Sequence, residues 1–226
     1  MRILAIDTSG RLASCSLYED GREIAACTRD SQMDHSLTIL PLCEEMVKAH
    51  GLTFADIDVY AAAVGPGSFT GIRIGVAAVK GFALSGNKPA AGISTLEATA
   101  ALVPEDGLIC SIIRARENEY FYGFFRNIGG ELYRICDDNC LTGPELKSIL
   151  YGADWLLCGD GAVDFLKNNP CDEKHVRLTE VTQHASGVAK CAWELAQCDS
   201  LSDGNDILPV YLKKTQAERM REEKTK

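Results

Sequence analysis

The chain has 226 residues, 46% of them apolar and 24% charged. That is enough for one large domain or two small ones with cores, and too apolar for a disordered chain. A formal net charge of −9 excludes a broad basic surface that grips RNA or DNA unaided, although a basic partner can supply phosphate contacts.

Met1-Arg2 runs directly into a β-like segment with no secretory-signal pattern, and no apolar run approaches the ~20 residues of a membrane span. The ten cysteines are scattered without C-x-x-C spacing, mostly inside apolar runs where cysteine acts as a small hydrophobe. Reduced core thiols, and hence the cytoplasm, are the expectation.

Arg2 to Ile6 reads as a strand ending in the turn cluster Asp7-Thr8-Ser9-Gly10. Ser14 to Tyr18 and Glu23 to Cys27 alternate around Asp20-Gly21, a two-residue hairpin signal. Asp34 can cap a helix in which Leu37, Leu40, Cys43 and Val47 share one face and Gly51 supplies the stop. Pro41 inside that pattern predicts a kink or a late start at Ile39. His35 and His50, near its two ends, are expected to satisfy caps. Thr53 with Asp56 forms a capping box before the buried run Val59 to Val64.

Gly65-Pro66-Gly67-Ser68-Phe69-Thr70-Gly71-Ile72-Arg73-Ile74-Gly75 then leads into a helix through Leu84. A glycine-bearing turn between strand and helix is where α/β proteins often bring backbone N–H groups to a ligand. Pro89 to Ile93 reads as a further strand, and Ser94-x-x-Glu97 as a capping box for a helix through Ala101. The order β-β-β-α-β-α-β-α makes a mixed sheet with helices on its faces.

Val103 to Gly107 marks a boundary, giving expected halves at 1–104 and 105–226. The second half opens with strands at Leu108–Ile113, Glu119–Arg126 and Glu131–Cys136. Thr142-x-x-Glu145 with Pro144 is a third helix start. Trp155 to Cys158 is a buried strand ending in Gly159-Asp160-Gly161-Ala162. Val176–Leu178 is a further short strand. Val188, Cys191, Ala192 and Leu195 stripe a helix, and Met220 to Lys226 is a charged tail expected to fray.

The glycine loop lacks the Gly-Lys-Ser/Thr of a P-loop, the acid of a dinucleotide site and the Gly-x-Ser-x-Gly frame of a nucleophile elbow. Its spacing favours close packing, with Gly67, Gly71 and Gly75, continued by Ala78, letting another helix approach closely. The four histidines have no zincin spacing, so neither a metal site nor a catalytic set is expected. Asp7 with Ser9, and Gly159 with Gly161, are left as nucleotide-turn candidates beside the reading that they only end strands.

Ile3-Leu4-Ala5-Ile6-Asp7-Thr8-Ser9, His35-Ser36-Leu37 to Leu40-Pro41, the Gly65–Gly75 loop, Lys80-Gly81-Phe82-Ala83, Gly92-Ile93-Ser94-Thr95-Leu96-Glu97 and Pro209-Val210-Tyr211-Leu212 together resemble the TsaB (YeaZ) family over nearly the whole chain. The resemblance implies an actin/hexokinase/Hsp70-like α/β ATPase fold of two related halves. It further implies a non-catalytic scaffold for TsaD, which with TsaE transfers a threonylcarbamoyl group from its adenylate to the anticodon-loop adenosine of tRNAs reading codons that begin with A.

By that resemblance the partners are TsaD as a heterodimer, TsaE, and a second copy when the chain is alone. tRNA is met only through the complex. The implied docking face comprises Leu37, Leu40, Gly71, Ile74, Gly75 and Ala78. No intrinsic cofactor is implied, with ATP or ADP and Mg²⁺ to be sought at the shared TsaD interface. Arg114-Ala115-Arg116 departs from the relatives' usual Asp-Ala-Arg-Arg. The competing reading is a residual ATPase or a glycoprotease-like hydrolase.

Overall fold

A computed structural model describes residues 1–30 and 34–213. The expected fraying tail lies outside them. Strands β1 (Arg2–Asp7), β2 (Leu12–Glu19) and β3 (Arg22–Asp30) form an antiparallel meander. Asp20 and Gly21 both take positive φ, 49° and 80°, so the hairpin closes with the turn whose twist matches the strands. Helix α1 (His35–Ala49) leads to β4 (Val59–Gly65), and α2 (Phe69–Gly86) to β5 (Ala90–Ser94). Both β4 and β5 join in parallel, giving the order β3-β2-β1-β4-β5.

Helix α3 (Thr95–Ala100) precedes a second meander, β6 (Gly107–Arg116), β7 (Glu119–Ile128) and β8 (Glu131–Arg134). The short β9 (Asn139–Thr142) returns to β7. Then follow α4 (Gly143–Leu150), β10 (Trp155–Cys158), α5 (Gly161–Asn168), β11 (Val176–Leu178) and α6 (Ala185–Gln197). With β10 and β11 parallel to β6, the second sheet reads β11-β10-β6-β7-β8. Two sheets therefore share one topology, a fold of the actin/hexokinase-like type.

Each sheet is buried on both faces. Helices α1 and α2 cover one face of the first sheet, with Ile39, Cys43, Val47, Ile72, Val76 and Val79 against Leu4, Cys15 and Leu17. Helices α4 and α5 cover the matching face of the second, through Leu146, Leu150 and Phe165. The other two faces are covered by exchange. Helix α6 lays Val188, Ala189 and Ala192 on Ile3, Ala5 and Ala61 of the first sheet. Helix α3 lays Leu96 and Ala100 on Ile109, Ile113 and Phe125 of the second. The two helices meet at Gly187, where an added Cβ would lie 1.9 Å from the Ala98 carbonyl oxygen. Helix α6, grouped with the second half by sequence order, thus packs on the first sheet.

Two expectations for α1 are corrected. The helix starts at His35 rather than Ile39, because Asp34 accepts from the Leu37 amide at 3.3 Å and Pro41 sits on the exposed side. The buried stripe is Ile39, Leu42, Cys43, Met46 and Val47, whereas Leu37 and Leu40 are 74% and 47% exposed. His50 does cap, with Nδ1 donating to the Met46 carbonyl at 2.9 Å and its backbone amide to carbonyls of the last turn. His35 reaches instead to the β1–β2 turn.

Candidate functional site

The turn Asp7-Thr8-Ser9 closes β1 and is buried. The Ser9 amide donates to Asp7 Oδ1 at 2.8 Å, and the Ser68 amide donates to the Ser9 carbonyl at 2.7 Å. The glycine loop therefore lies directly on the turn. The Thr8 hydroxyl donates to the Gly71 carbonyl at 2.7 Å. An added Cβ at Gly71 would stand 2.0 Å from the Thr8 carbonyl oxygen, and one at Gly75 would stand 2.5 Å from Thr8 Oγ1. Both glycines face inward and are buried. Their assignment to a docking face is thereby corrected: the element that requires small residues is the chain's own first turn.

The remaining docking candidates point outward. Leu37 and Leu40 project from α1, Ile74 and Ala78 are half-buried on α2, and the stripe continues through exposed Ala77, Gly81 and Leu84. The sequence reading missed Ala77 and Leu84. Ala77 lies three residues from Ile74 and Leu84 seven from Ala77, the helical spacing that was the available signal.

Between the lobes lies a cleft of about 710 Å³ lined by Ser9, Gly10, Arg11, His35, Gly67, Ser68, Arg114 and Asp160. That is a size typical of small-molecule sites. Of the expected nucleotide turns, Ser9 lines it and Asp7 lies beneath Ser9, 2% exposed. Burial pushes the Asp7 carboxyl above its usual range, opposed by hydrogen bonds from Ser9, and its Oδ2 has no partner. Gly159 and Gly161 do not serve the cleft. Added Cβ atoms there would stand 2.2 Å from the Ile112 carbonyl oxygen and 2.6 Å from the Arg114 amide nitrogen, so β6 dictates both.

Asp160, the residue between them, is the one that faces the cleft, and burial raises its carboxyl too. This set fits a magnesium nucleotide poorly, since a cation held among phosphates needs exposed carboxylate oxygens and Asp7 offers none. Among the described residues, no three or more His, Cys, Asp or Glu side chains are arranged to hold a metal ion.

Among the described residues the histidine–hydroxyl contacts are committed to the fold: Ser186 Oγ lies 2.8 Å from His184 Nδ1 at the start of α6, and the Ser186 hydroxyl also donates to Glu23. His35 Nε2 meets the Gly10 carbonyl at 3.1 Å, which only a protonated Nε2 can do. His184 Nδ1 accepts from the Ser186 amide at 3.2 Å, so its protonated Nε2 donates to Thr28 Oγ1 at 2.8 Å. A ring that donates to a hydroxyl cannot take that hydroxyl's proton.

A strap that the sequence did not reveal as an element runs from β5 past β4 and the start of α2 to β7. Ser202 bridges to Ala90, and the Val210 amide donates to the Val64 carbonyl at 2.8 Å. The Tyr211 ring packs on Phe69 with centroids 4.7 Å apart. Arg73 donates to the Tyr211 hydroxyl at 2.7 Å while lying 3.7 Å over the Phe69 ring. Lys213 then pairs with Glu119 of β7 at 2.6 Å.

The class defined by this fold and cleft is the two-lobed actin/hexokinase/Hsp70-like one. Component A of (R)-2-hydroxyglutaryl-CoA dehydratase from Acidaminococcus fermentans shares it, with TM-score 0.52 at 10% identity over 87% of this chain and 99% of that one. YeaZ from Pseudomonas aeruginosa is far nearer, with TM-score 0.82 at 25% identity over 93% of this chain and 99% of that one.

The family profile described as "TsaD: tRNA N6-adenosine threonylcarbamoyltransferase" matches residues 28–152. The tRNA threonylcarbamoyladenosine biosynthesis protein TsaB of Escherichia coli (strain K12) is 31% identical over 71% of this chain and 72% of its own length. The protein of that name from Bacillus subtilis (strain 168) is 29% identical over 96% of each. The chain belongs to the TsaB (YeaZ) family.

Proposed function

We propose that this chain is a non-catalytic accessory subunit in the synthesis of threonylcarbamoyladenosine on tRNA, acting in the cytoplasm as scaffold and activator of a TsaD transferase together with TsaE. The observation that carries the reading is the pairing of TsaB kinship with a cleft whose turn residues are committed to the chain's own packing. On this reading the chain's contribution is a surface.

The outer face of α1 and α2, through Leu37, Leu40, Ile74 and Ala78, is the docking surface for TsaD and, when the chain is alone, for a second copy. Apolar residues this exposed on adjacent helices are the usual material of an interface core. tRNA is met through the complex, in keeping with a net charge of −9. ATP or ADP with Mg²⁺ belongs at the shared interface rather than in this chain's cleft.

The test is reconstitution of tRNA modification from TsaD, TsaE and threonylcarbamoyl-AMP, with and without the chain. Modification that proceeds equally well without it overturns the proposal. Calorimetry of the isolated chain with ATP and Mg²⁺ addresses the residual-ATPase reading, where tight binding with turnover would restore it.

A further inference from the structure

Three of the ten thiols are gathered at one place, under α1. Cys15 of β2 and Cys27 of β3 are direct partners in the antiparallel register, and their sulfurs are 3.2 Å apart. Cys43, on the buried side of α1, packs in the same cluster. Directly opposed antiparallel residues have Cα atoms roughly 4.5 to 5.5 Å apart, inside the range of about 4.4 to 6.8 Å that a disulfide spans. Closing the bond from 3.2 Å to roughly 2.05 Å asks only for side-chain rotation. Cys15 is fully buried, whereas Cys27 is partly open to solvent, so one member of the pair can meet an oxidant and the other can resolve it.

We propose that Cys15 and Cys27 are a redox-modifiable pair that forms an internal disulfide on exposure to a peroxide. The Cys27 sulfur attacks one peroxide oxygen, the O–O bond breaks, and a sulfenic acid and one water result. The Cys15 sulfur then attacks the Cys27 sulfur, the S–O bond breaks, and a second water leaves. Two thiols lose two electrons and two protons, and the peroxide is reduced to two waters.

The hydrogen bond with Cys15, then burial, hold the Cys27 thiol well above its usual value, with Arg29 acting the other way and Glu45 reinforcing the rise. Attack is therefore slow at neutral pH, and the pair stays reduced under mild conditions. The product ties the edge strand β3 to β2, beneath a helix that also holds β3 through Arg29 and Glu45 at 2.8 Å.

The test treats the full chain with excess hydrogen peroxide, removes the peroxide, alkylates remaining thiols and maps the peptides. The expected result is a Cys15–Cys27 linked peptide, absent in Cys27→Ser and retained in Cys43→Ser. Amide exchange of β3 in the oxidised protein should slow by roughly tenfold or more, as local opening of the edge strand is restrained. A Cys15–Cys43 link, or Cys27 passing to sulfinic acid while Cys15 remains alkylatable, overturns the proposal. So does recovery of both residues as alkylated thiols after prolonged treatment.

Discussion

The two lobes solve the same packing problem with different expenditure. In each, the sheet runs meander, first strand, two parallel crossovers. In each, the first turn of the second crossover helix has a glycine set on backbone at or just past the end of the central strand, Gly71 on Thr8 in one and Gly161 on the Ile113–Arg114 backbone in the other. The fold therefore demands that glycine twice, for one geometric reason: the helix must start where the first strand ends. The difference lies in what covers the sheet. The first lobe uses helices of 15 and 18 residues, the second two of 8 residues. Eight residues are enough to cover a sheet. The longer helices α1 and α2 also present Leu37, Leu40, Ala77 and Leu84 to solvent, with Ile74 and Ala78 packed against the rim of the core on the same side.

If the glycines are a shared device, both lobes should break in the same way. Gly161→Ala, with a Cβ 2.6 Å from the Arg114 amide nitrogen, should cost about 3 kcal/mol. Gly71→Ala, which has the same kind of overlap, should also cost about 3 kcal/mol. Gly10→Ala, with open space around the new Cβ, should stay within about 0.5 kcal/mol. Urea unfolding of the three variants decides the matter, and a silent Gly71→Ala would separate the lobes again.

If the long helices exist for docking, charge placed on them should act on association and leave folding alone. Leu37→Asp and, separately, Ala78→Arg should weaken capture of TsaD by roughly thirtyfold, about 2 kcal/mol. Val163→Asp on α5, where the native residue is 60% exposed, should leave capture unchanged. Sedimentation of the isolated chain should show the first pair of variants losing any self-association. Equal losses from Val163→Asp would mean the interface is not confined to the first lobe.

Much of this was legible in the sequence, and the illegible parts share a cause. Asp20-Gly21, Thr53 with Asp56 and Thr142 with Glu145 signal local structure through residues that satisfy each other nearby, and each forms as expected. An apolar stripe such as Val188, Cys191 and Ala192 says that α6 buries a face but not on which sheet. The exchange of α3 and α6 therefore had no local sign. Gly71 and Gly75 announced a close neighbour without naming it, and Thr8 is more than sixty residues away in the chain. The four-residue β9 pairs only because β7 offers an edge, and α5 opens on the glycine that β6 requires, which masks its helical pattern. In the site, Asp160 was hidden between two glycines that drew the attention.

The buried acid of the first turn ties the first lobe's stability to pH, as Asp160 does in the second. Burial raises the Asp7 carboxyl above 3.8, so the folded state holds its proton more tightly than the unfolded one. Stability tied to this group therefore falls as pH rises from 3.8 through the raised folded value. Asp7→Asn, which keeps an acceptor for the Ser9 amide, should raise the melting temperature at neutral pH, with the gain shrinking as pH falls toward 3.8. A gain that persists undiminished in acid would show that charge burial is not its source.

The smallest expected effect asks what joins the lobes. Two candidates cross between them: the exchanged helices, whose contact is apolar and continuous with both cores, and the strap, whose last link is the Lys213–Glu119 ion pair. That pair is partly exposed, at 26% and 33%, and pairs of this kind contribute between about 0 and 1 kcal/mol and weaken with salt. Lys213→Ala should therefore cost about 0.5 kcal/mol at low ionic strength and less in molar salt. Tyr211→Ala should cost more and show little salt dependence, because it removes a ring from Phe69 and a hydrogen bond from Arg73. Unfolding should remain a single transition in both variants, since apolar exchange leaves neither lobe a complete core of its own. Two separated transitions in Lys213→Ala would assign the joining of the lobes to the strap.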